Sequence, residues 1–234
     1  MRSRPYPPSS IEAAREAIQR TCERMVAERL VTGSAGNVSV RFGDRMVVTA
    51  AGVPYEFLEP GDHPVVTLAD GRAEGALKPT SEMPLHLGIM REMENVSAIV
   101  HTHSRYAAAF AVARQDVPFV CNENFGVRGD RILVTKPYAA PGSTELADAA
   151  IQAFARQPGS RAVLLANHGV VAIGDTVEDA CLLAAQVEWA AEIAYLARTL
   201  GGETALSADE QAWYGRNYGI ALGCGSPGMA SSDR

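Results

Sequence analysis

The sequence predicts an α/β protein built on one mixed or largely antiparallel sheet covered by helices. Strand-like segments arrive mostly in pairs joined by short turns, and helical segments fall between the pairs. The strict alternation of one strand with one helix that a doubly wound parallel sheet requires is missing. Apolar residues make up 47% of the 234, enough for a sizeable core.

Each element has a local cause. Ser9 with Glu12 three residues on has the form of a capping box, and Ile11, Ala14, Ile18, Cys22 and Met25 recur at helical spacing up to Leu30. After Gly33, Val38 to Phe42 and Met46 to Thr49 read as strands joined by a turn at Gly43 and Asp44. Pro64 to Leu68 reads as a third strand, followed by the turn residues Asp70 and Gly71. Thr80 and Ser81 offer N-caps for a helix running to about Met93, with Pro84 tolerated in its first turn. Ala98, Ile99 and Val100 read as a buried strand, and Ser104 is placed to cap a short helix over Tyr106 to Arg114. Ile132 to Thr135 reads as a strand and Glu145 to Ala155 as a helix. Ala162 to Leu165 reads as a buried strand that stops at Asn167-His168-Gly169, with Val170 to Ile173 as its hairpin partner. The longest helix runs from Thr176 to Leu200 and ends at Gly201-Gly202. Residues 1–222 are expected to form one domain and 223–234 a loose tail.

Composition narrows the function classes. The formal net charge is −6 and the basic residues are scattered, which argues against nucleic acid or an acidic membrane surface as partner. No apolar run reads as a membrane span, and prolines interrupt the first ten residues where a signal peptide needs its apolar centre, so a cytoplasmic location is expected. Cys22, Cys121, Cys181 and Cys224 stand far apart with no C-x-x-C pair, which reads as reduced thiols packing as small hydrophobes.

The chemistry-bearing residues are few. In A-I-V-H-T-H-S, His101 and His103 leave the same face of a strand while Thr102 leaves the other. Alone, the pair is equally two imidazoles on a half-exposed strand. His168 interrupts an apolar strand at its end, where loops carry function, and there a buried structural histidine is the plain alternative. Three imidazoles without a thiolate would suit zinc or a similar divalent ion and leave an open position. His63 lies in a turn-like G-D-H-P, and His86, in the helix after Pro79, could lie on the metal side but is treated as ordinary helix surface or packing. Glu82, in K-P-T-S-E, falls at a helix start, where the dipole favours any carboxylate. The amides there, with the Thr80 and Ser81 hydroxyls, and the glycine-bearing stretch Gly33 to Ser39 with Asn37, are two places that could hold an anion or be plain turns.

Taken in order, G-S-A-G-N-V-S-V-R, V-T-A-A-G-V-P-Y, K-P-T-S-E, I-V-H-T-H-S and N-H-G resemble the motifs of the class II aldolase/adducin family, over about Arg15 to Leu200. The resemblance implies a three-layer αβα sandwich around a central, mainly antiparallel sheet, assembled as a homotetramer with active sites at subunit interfaces. It implies His101, His103 and His168 as ligands of Zn2+, with Mn2+ or Co2+ as other choices, and Glu82 as the acid/base that also touches the metal. Asn37, Gly52, Thr80 and Ser81 match positions that bind the phosphate of a small phosphorylated sugar. The implied reaction cleaves a ketose 1-phosphate to dihydroxyacetone phosphate and a short aldehyde. Such cleavage leaves an enediolate, whose charge a divalent cation offsets as a Lewis acid, and the proton shuttle asks for a Glu82 pKa raised toward neutrality. Epimerisation, decarboxylation or dehydration on the same site, and a non-catalytic adducin-like binding protein, are the alternatives. Three departures bear on the choice. Ala51 stands where the family's sugar-phosphate aldolases place a threonine. The segment V-C-N-E-N-F, from Val120 to Phe125, lacks the tyrosine that handles the aldehyde oxygen, which leaves Asn122, Glu123 or a water for that step. Tyr214 and Tyr218 resemble a family segment that closes over the site.

Overall fold

The computed structural model describes residues 8–218. The proposed tail at 223–234, with Cys224, lies outside them. Helix α1 (Ile11–Ala27) is followed by strands β1 (Asn37–Phe42), β2 (Arg45–Val48), β3 (Val65–Thr67) and β4 (Ala73–Glu74). Helix α2 (Met83–Glu92), strand β5 (Ala98–Thr102) and helix α3 (Arg105–Ala113) carry the chain to a small ribbon of β6 (Val117–Pro118) and β7 (Arg131–Ile132). Then come α4 (Thr144–Arg156), β8 (Ala162–Leu164), β9 (Val170–Gly174), α5 (Val177–Thr199) and α6 (Ala208–Tyr218). The main sheet has seven strands in the order β4-β3-β2-β1-β5-β9-β8, and every neighbouring pair is antiparallel.

Strand alternation decides the layers. Val38, Val40, Val47, Ala98, Val100, Val170 and Ala172 point to one face and pack with α1, α3 and α5. Met46, Val48, Ile99, Val171 and Ile173 point to the other and pack with α2 and α4. The result is the expected three-layer sandwich. Burying such apolar side chains contributes about 1.5–3 kcal/mol each, and two faces of one sheet share the work.

Several boundaries move for local reasons. Helix α1 stops at Ala27 rather than Leu30, because Arg29 takes a left-handed conformation and Leu30 folds back so that its N–H donates to the Met25 carbonyl. Helix α2 begins at Met83 with Glu82 itself at the N-cap, so Thr80 and Ser81 precede the helix. Ser104 makes no capping hydrogen bond to α3; Glu188 of α5 does that work, accepting from the Tyr106 and Ala107 N–H groups at 3.0 and 2.9 Å. Of the strand expected over Ile132 to Thr135, only Ile132 lies in β7, while Val134 bridges Leu164 in parallel. By length and hydropathy α5 does qualify as a membrane span, contrary to the reading of the sequence. Its buried face, including Ala180, Leu183, Ala184, Val187 and Ala191, belongs instead to the core.

His63 is fully buried, with Nε2–H donating to Gln19 Oε1 at 3.1 Å and Nδ1 left without a partner. Burial pushes its pKa down from 6.5 to about 4, with Arg15 adding to the shift and Asp62 opposing it. The unfolded chain therefore binds a proton that the folded one refuses between those values, so this part of the stability is whole above pH 6.5 and is lost as the pH falls toward 4. His63→Gln keeps an amide donor for Gln19 without titrating. Urea unfolding at pH 7, 6 and 5 is expected to show a shallower loss for this variant, by at most about 3 kcal/mol.

Candidate metal centre

Three neighbouring strands and one helix start bring the polar residues together. In β5, His101 follows Ile99 onto the α2/α4 face, opposite Asn37 of β1 and Val171 of β9. His103 lies just past the strand end, where its N–H donates to the Leu30 carbonyl at 3.1 Å. His168 sits in the β8–β9 turn, which Asn167 closes in a left-handed conformation. Gly169 is required there, because a Cβ would overlap the Thr102 carbonyl oxygen.

The three rings stand around a common point. Their centroids are 4.8, 4.7 and 4.8 Å apart, with interplanar angles of 70°, 70° and 73°, as in a three-bladed propeller. His101 Nε2 is 2.9 Å from His103 Nε2. Glu82 Oε1 lies 3.4 Å from His168 Nε2 and 3.5 Å from His101 Nε2. One ligand atom from each of these four residues lies within 4.8 Å of all the others.

These residues fit a divalent cation. His101 Nδ1 is 2.7 Å from the Val170 carbonyl, so it carries the proton and leaves the Nε2 lone pair aimed at the other rings. Two such lone pairs at 2.9 Å repel unless a proton or a cation lies between them. Glu82 Oε2 is buried without a protein partner. Three imidazoles and one carboxylate form a nitrogen-rich set of the kind that holds zinc.

Electrostatics favours the ligand forms. Burial pushes the His103 pKa down to about 4, with His101 and His168 adding to the shift, so the ring is neutral near pH 7. Burial acts the other way on Glu82, but His101 and then His168 outweigh it and hold the carboxyl well below the usual carboxylate range. This departs from the expectation of a raised pKa: positive charge within 3.5 Å of Oε1, on an imidazole N–H or on a cation bound in its place, outweighs burial.

The remaining predicted residues surround this cluster in different ways. A bridge between Ala50 and Pro79, with Thr80 N–H donating to the Thr49 carbonyl and Ala51 N–H to the Lys78 carbonyl, sets the Gly52 turn beside Thr80 and Ser81. Thr80 Oγ1 accepts from Glu82 N–H at 3.3 Å, while Gly52 and Ser81 are exposed. Asn37 is buried and gives its Nδ2–H to Glu82 Oε1 at 3.4 Å. In the segment that lacks a tyrosine, Asn122 and Glu123 are exposed, and Asn124 turns inward to accept from the Val120 and Cys121 N–H groups. Among the described residues Glu123 is no member of the ligand cluster. Tyr214 and Tyr218 lie on α6, a helix the sequence reading did not anticipate.

Sequence reasoning missed the polar partners of His86. It is fully buried, 2.6 Å from Ser39 Oγ through Nδ1 and 2.5 Å from Asn37 Oδ1 through Nε2. The available signal was its place one helical turn after Glu82. Tyr55 was also missed; its hydroxyl donates to the Gly36 carbonyl at 2.6 Å and steadies the loop leading into β1.

A partly buried cluster of three imidazoles and a carboxylate, set on an antiparallel αβα sandwich, is the architecture of a metal-dependent enzyme. Residues 16–195 match the class II aldolase and adducin N-terminal domain family, and the chain belongs to it. It is a class II aldolase, a carbon–carbon lyase of a metal-dependent family. It is 32% identical to a 5-deoxy-D-ribulose 1-phosphate aldolase of Bacillus thuringiensis serovar kurstaki, over 86% of this chain and 92% of that protein. It is 33% identical to an L-fuculose phosphate aldolase of Haemophilus influenzae, over 72% of this chain and 76% of that one. A solved L-fuculose 1-phosphate aldolase superposes with a TM-score of 0.81 at 29% identity, covering 88% of this chain and 96% of its own.

The loop before β1 approaches the site closely. Gly36 has a φ of 74°, and a Cβ there would lie 2.6 Å from the His101 carbonyl oxygen. Gly36→Ala is expected to cost about 2–4 kcal/mol in urea unfolding, from backbone strain plus displacement of β5. Gly33→Ala is the comparison: it also has a positive φ but open space around a Cβ, and it should cost only about 1 kcal/mol.

Proposed function

We propose that the chain cleaves a small ketose 1-phosphate to dihydroxyacetone phosphate and a short aldehyde, with His101, His103 and His168 holding a divalent cation and Glu82 moving the proton. The observation that carries this is the convergence of the four ligand atoms within 4.8 Å. The two curated relatives support the substrate class: a 5-deoxyribulose 1-phosphate aldolase and a fuculose phosphate aldolase differ in the aldehyde half and share the phosphorylated three-carbon half. The donor set suits zinc, with manganese or cobalt also accommodated. When bound, the cation supplies Lewis-acid polarisation of adjacent substrate oxygens.

The residues of the chain do the rest. Glu82 is held ionised, the form that accepts a proton. Glu82 takes up the proton of the C4 hydroxyl as the C3–C4 bond breaks. Its electron pair stays on the three-carbon half, and Glu82 returns a proton to C3. The exposed Gly52 turn and Ser81, beside Thr80, offer amides and a hydroxyl to the phosphate, and the loop before Asn37 offers more. Lys78 and Lys136 are not needed for a Schiff base. A binding-only role is disfavoured, since a scaffold has no physical reason to bury an imidazole cluster.

Assembly as a homotetramer with sites between subunits is part of the proposal. Leu182, Trp189 and Leu196 recur every two turns on α5 and are exposed by 43%, 51% and 43%, a stripe that suits a second copy. A cytoplasmic location fits Cys22, Cys121 and Cys181, which are free thiols. Residues 1–222 acting as one domain complete this reading.

Metal analysis is expected to find one divalent ion per chain, with dihydroxyacetone phosphate released from a panel of ketose 1-phosphates and release abolished by chelator. His101→Ala should lose ion and activity together. Glu82→Gln should keep the ion and lose turnover by at least about 100-fold. A Glu82→Gln protein that cleaves at the parent rate refutes its assigned role.

A further inference from the structure

We propose that Ser39, His86 and Asn37 form a positioning relay that clamps one oxygen of Glu82 and leaves the other as the atom that carries the proton. The proposal rests on the reading of Glu82 as acid/base. Its basis is a two-by-two lattice set by periodicity: Asn37 and Ser39 leave the same face of β1, and Glu82 and His86 stand one turn apart at the start of α2.

The direction of each hydrogen bond follows from Glu82. An ionised carboxylate only accepts, so Asn37 turns Nδ2–H toward Oε1, at 3.4 Å. Its Oδ1 therefore faces His86, which must donate from Nε2–H. His86 Nδ1 is then an acceptor, and the Ser39 hydroxyl 2.6 Å away donates to it. Every member has one role, the chain carries no net charge, and Ser39 and His86 are fully buried. Oε1 thus takes the Asn37 donor and faces the two imidazoles at 3.4 and 3.5 Å, whereas buried Oε2 has no protein partner. Without His86 the Asn37 carboxamide is free to rotate and set Oδ1 against Oε1, acceptor to acceptor.

Two measurements test this. In the ring 15N–1H spectrum of the wild-type protein at pH 7, His86 should be the neutral Nε2–H tautomer; the Nδ1–H form reverses the chain of donors and overturns the relay. Solvent exchange of the hydroxymethyl hydrogen of dihydroxyacetone phosphate in heavy water, followed by NMR, reports the proton step without the aldehyde. His86→Leu should slow saturated exchange by about 10–100-fold with its half-saturation and metal content unchanged, and His86→Gln, which restores an amide donor, should recover most of the rate. If the leucine variant does not fold, Ser39→Ala takes its place and should slow exchange by about 10-fold. Exchange at the wild-type rate in the folded variant overturns the relay. Glu82→Gln separates the two levels: wild-type exchange there removes the acid/base reading itself, whereas the relay alone falls when Glu82→Gln is inactive and His86→Leu is not.

Discussion

Three imidazole nitrogens and a carboxylate oxygen are held closer together, in a drier place, than they would settle by themselves, and much of the local architecture answers to that. Buried polar groups without partners cost about 1–3 kcal/mol each, so a cluster of this kind persists only where the surrounding structure over-determines it. The antiparallel sheet supplies that determination. Adjacent strands β1, β5 and β9 fix Asn37, His101 and Val171 in register, and the carbonyl of the next residue along β9, Val170, in turn sets the His101 proton. His103 and His168 are less regular, one past a strand end and one in a turn, and each is pinned by backbone contacts.

Those contacts work through small residues and remote caps. Gly36 and Gly169 let two loops press against the carbonyls of His101 and Thr102, which no side-chain-bearing residue would allow. Glu188 reaches from α5 to close the first turn of α3, two residues after the His103–Ser104 pair. A helix on one face of the sheet thereby steadies the chain just past His103, whose ring belongs to the cluster with Glu82. This coupling of layers explains why α5, apolar enough to cross a membrane, carries a carboxylate in its middle.

Much of this was legible in the sequence, and the unread part has a physical pattern. Period-two strands and the 3.6-residue helices were visible because burial on one face leaves a compositional trace. The His101–His103 pair was visible for the same reason, since strand alternation alone puts both rings on one side. The two-residue strands β4 and β6 were not, being too short to show a period, and β7 was met only at Ile132. Ser104 looked like a cap because a cap is usually local, and Glu188 replaced it from more than eighty positions away, beyond the reach of any local rule. His86 was read as surface or packing because one histidine in a helix has no polarity partner in the linear sequence; Ser39 and Asn37 become its partners only when β1 lies beneath α2.

The Glu82 carboxyl, expected to have a raised pKa, is instead pushed downward by its neighbours. A dry pocket by itself would favour the neutral acid, and a neutral acid cannot accept a proton. Positive charge on the ring side, from an imidazole N–H or from a bound cation, reverses that preference and favours the carboxylate. The same opposition that stabilises the charge is confined to Oε1, the oxygen turned toward the rings and Asn37. Oε2 receives none of these contacts, so the two oxygens of one carboxylate stand in different surroundings, the asymmetry on which the proposed proton step rests. For the proposed proton step, a carboxylate of this kind needs no strongly raised bulk pKa, because the field that favours ionisation falls on one oxygen and the proton would be carried by the other.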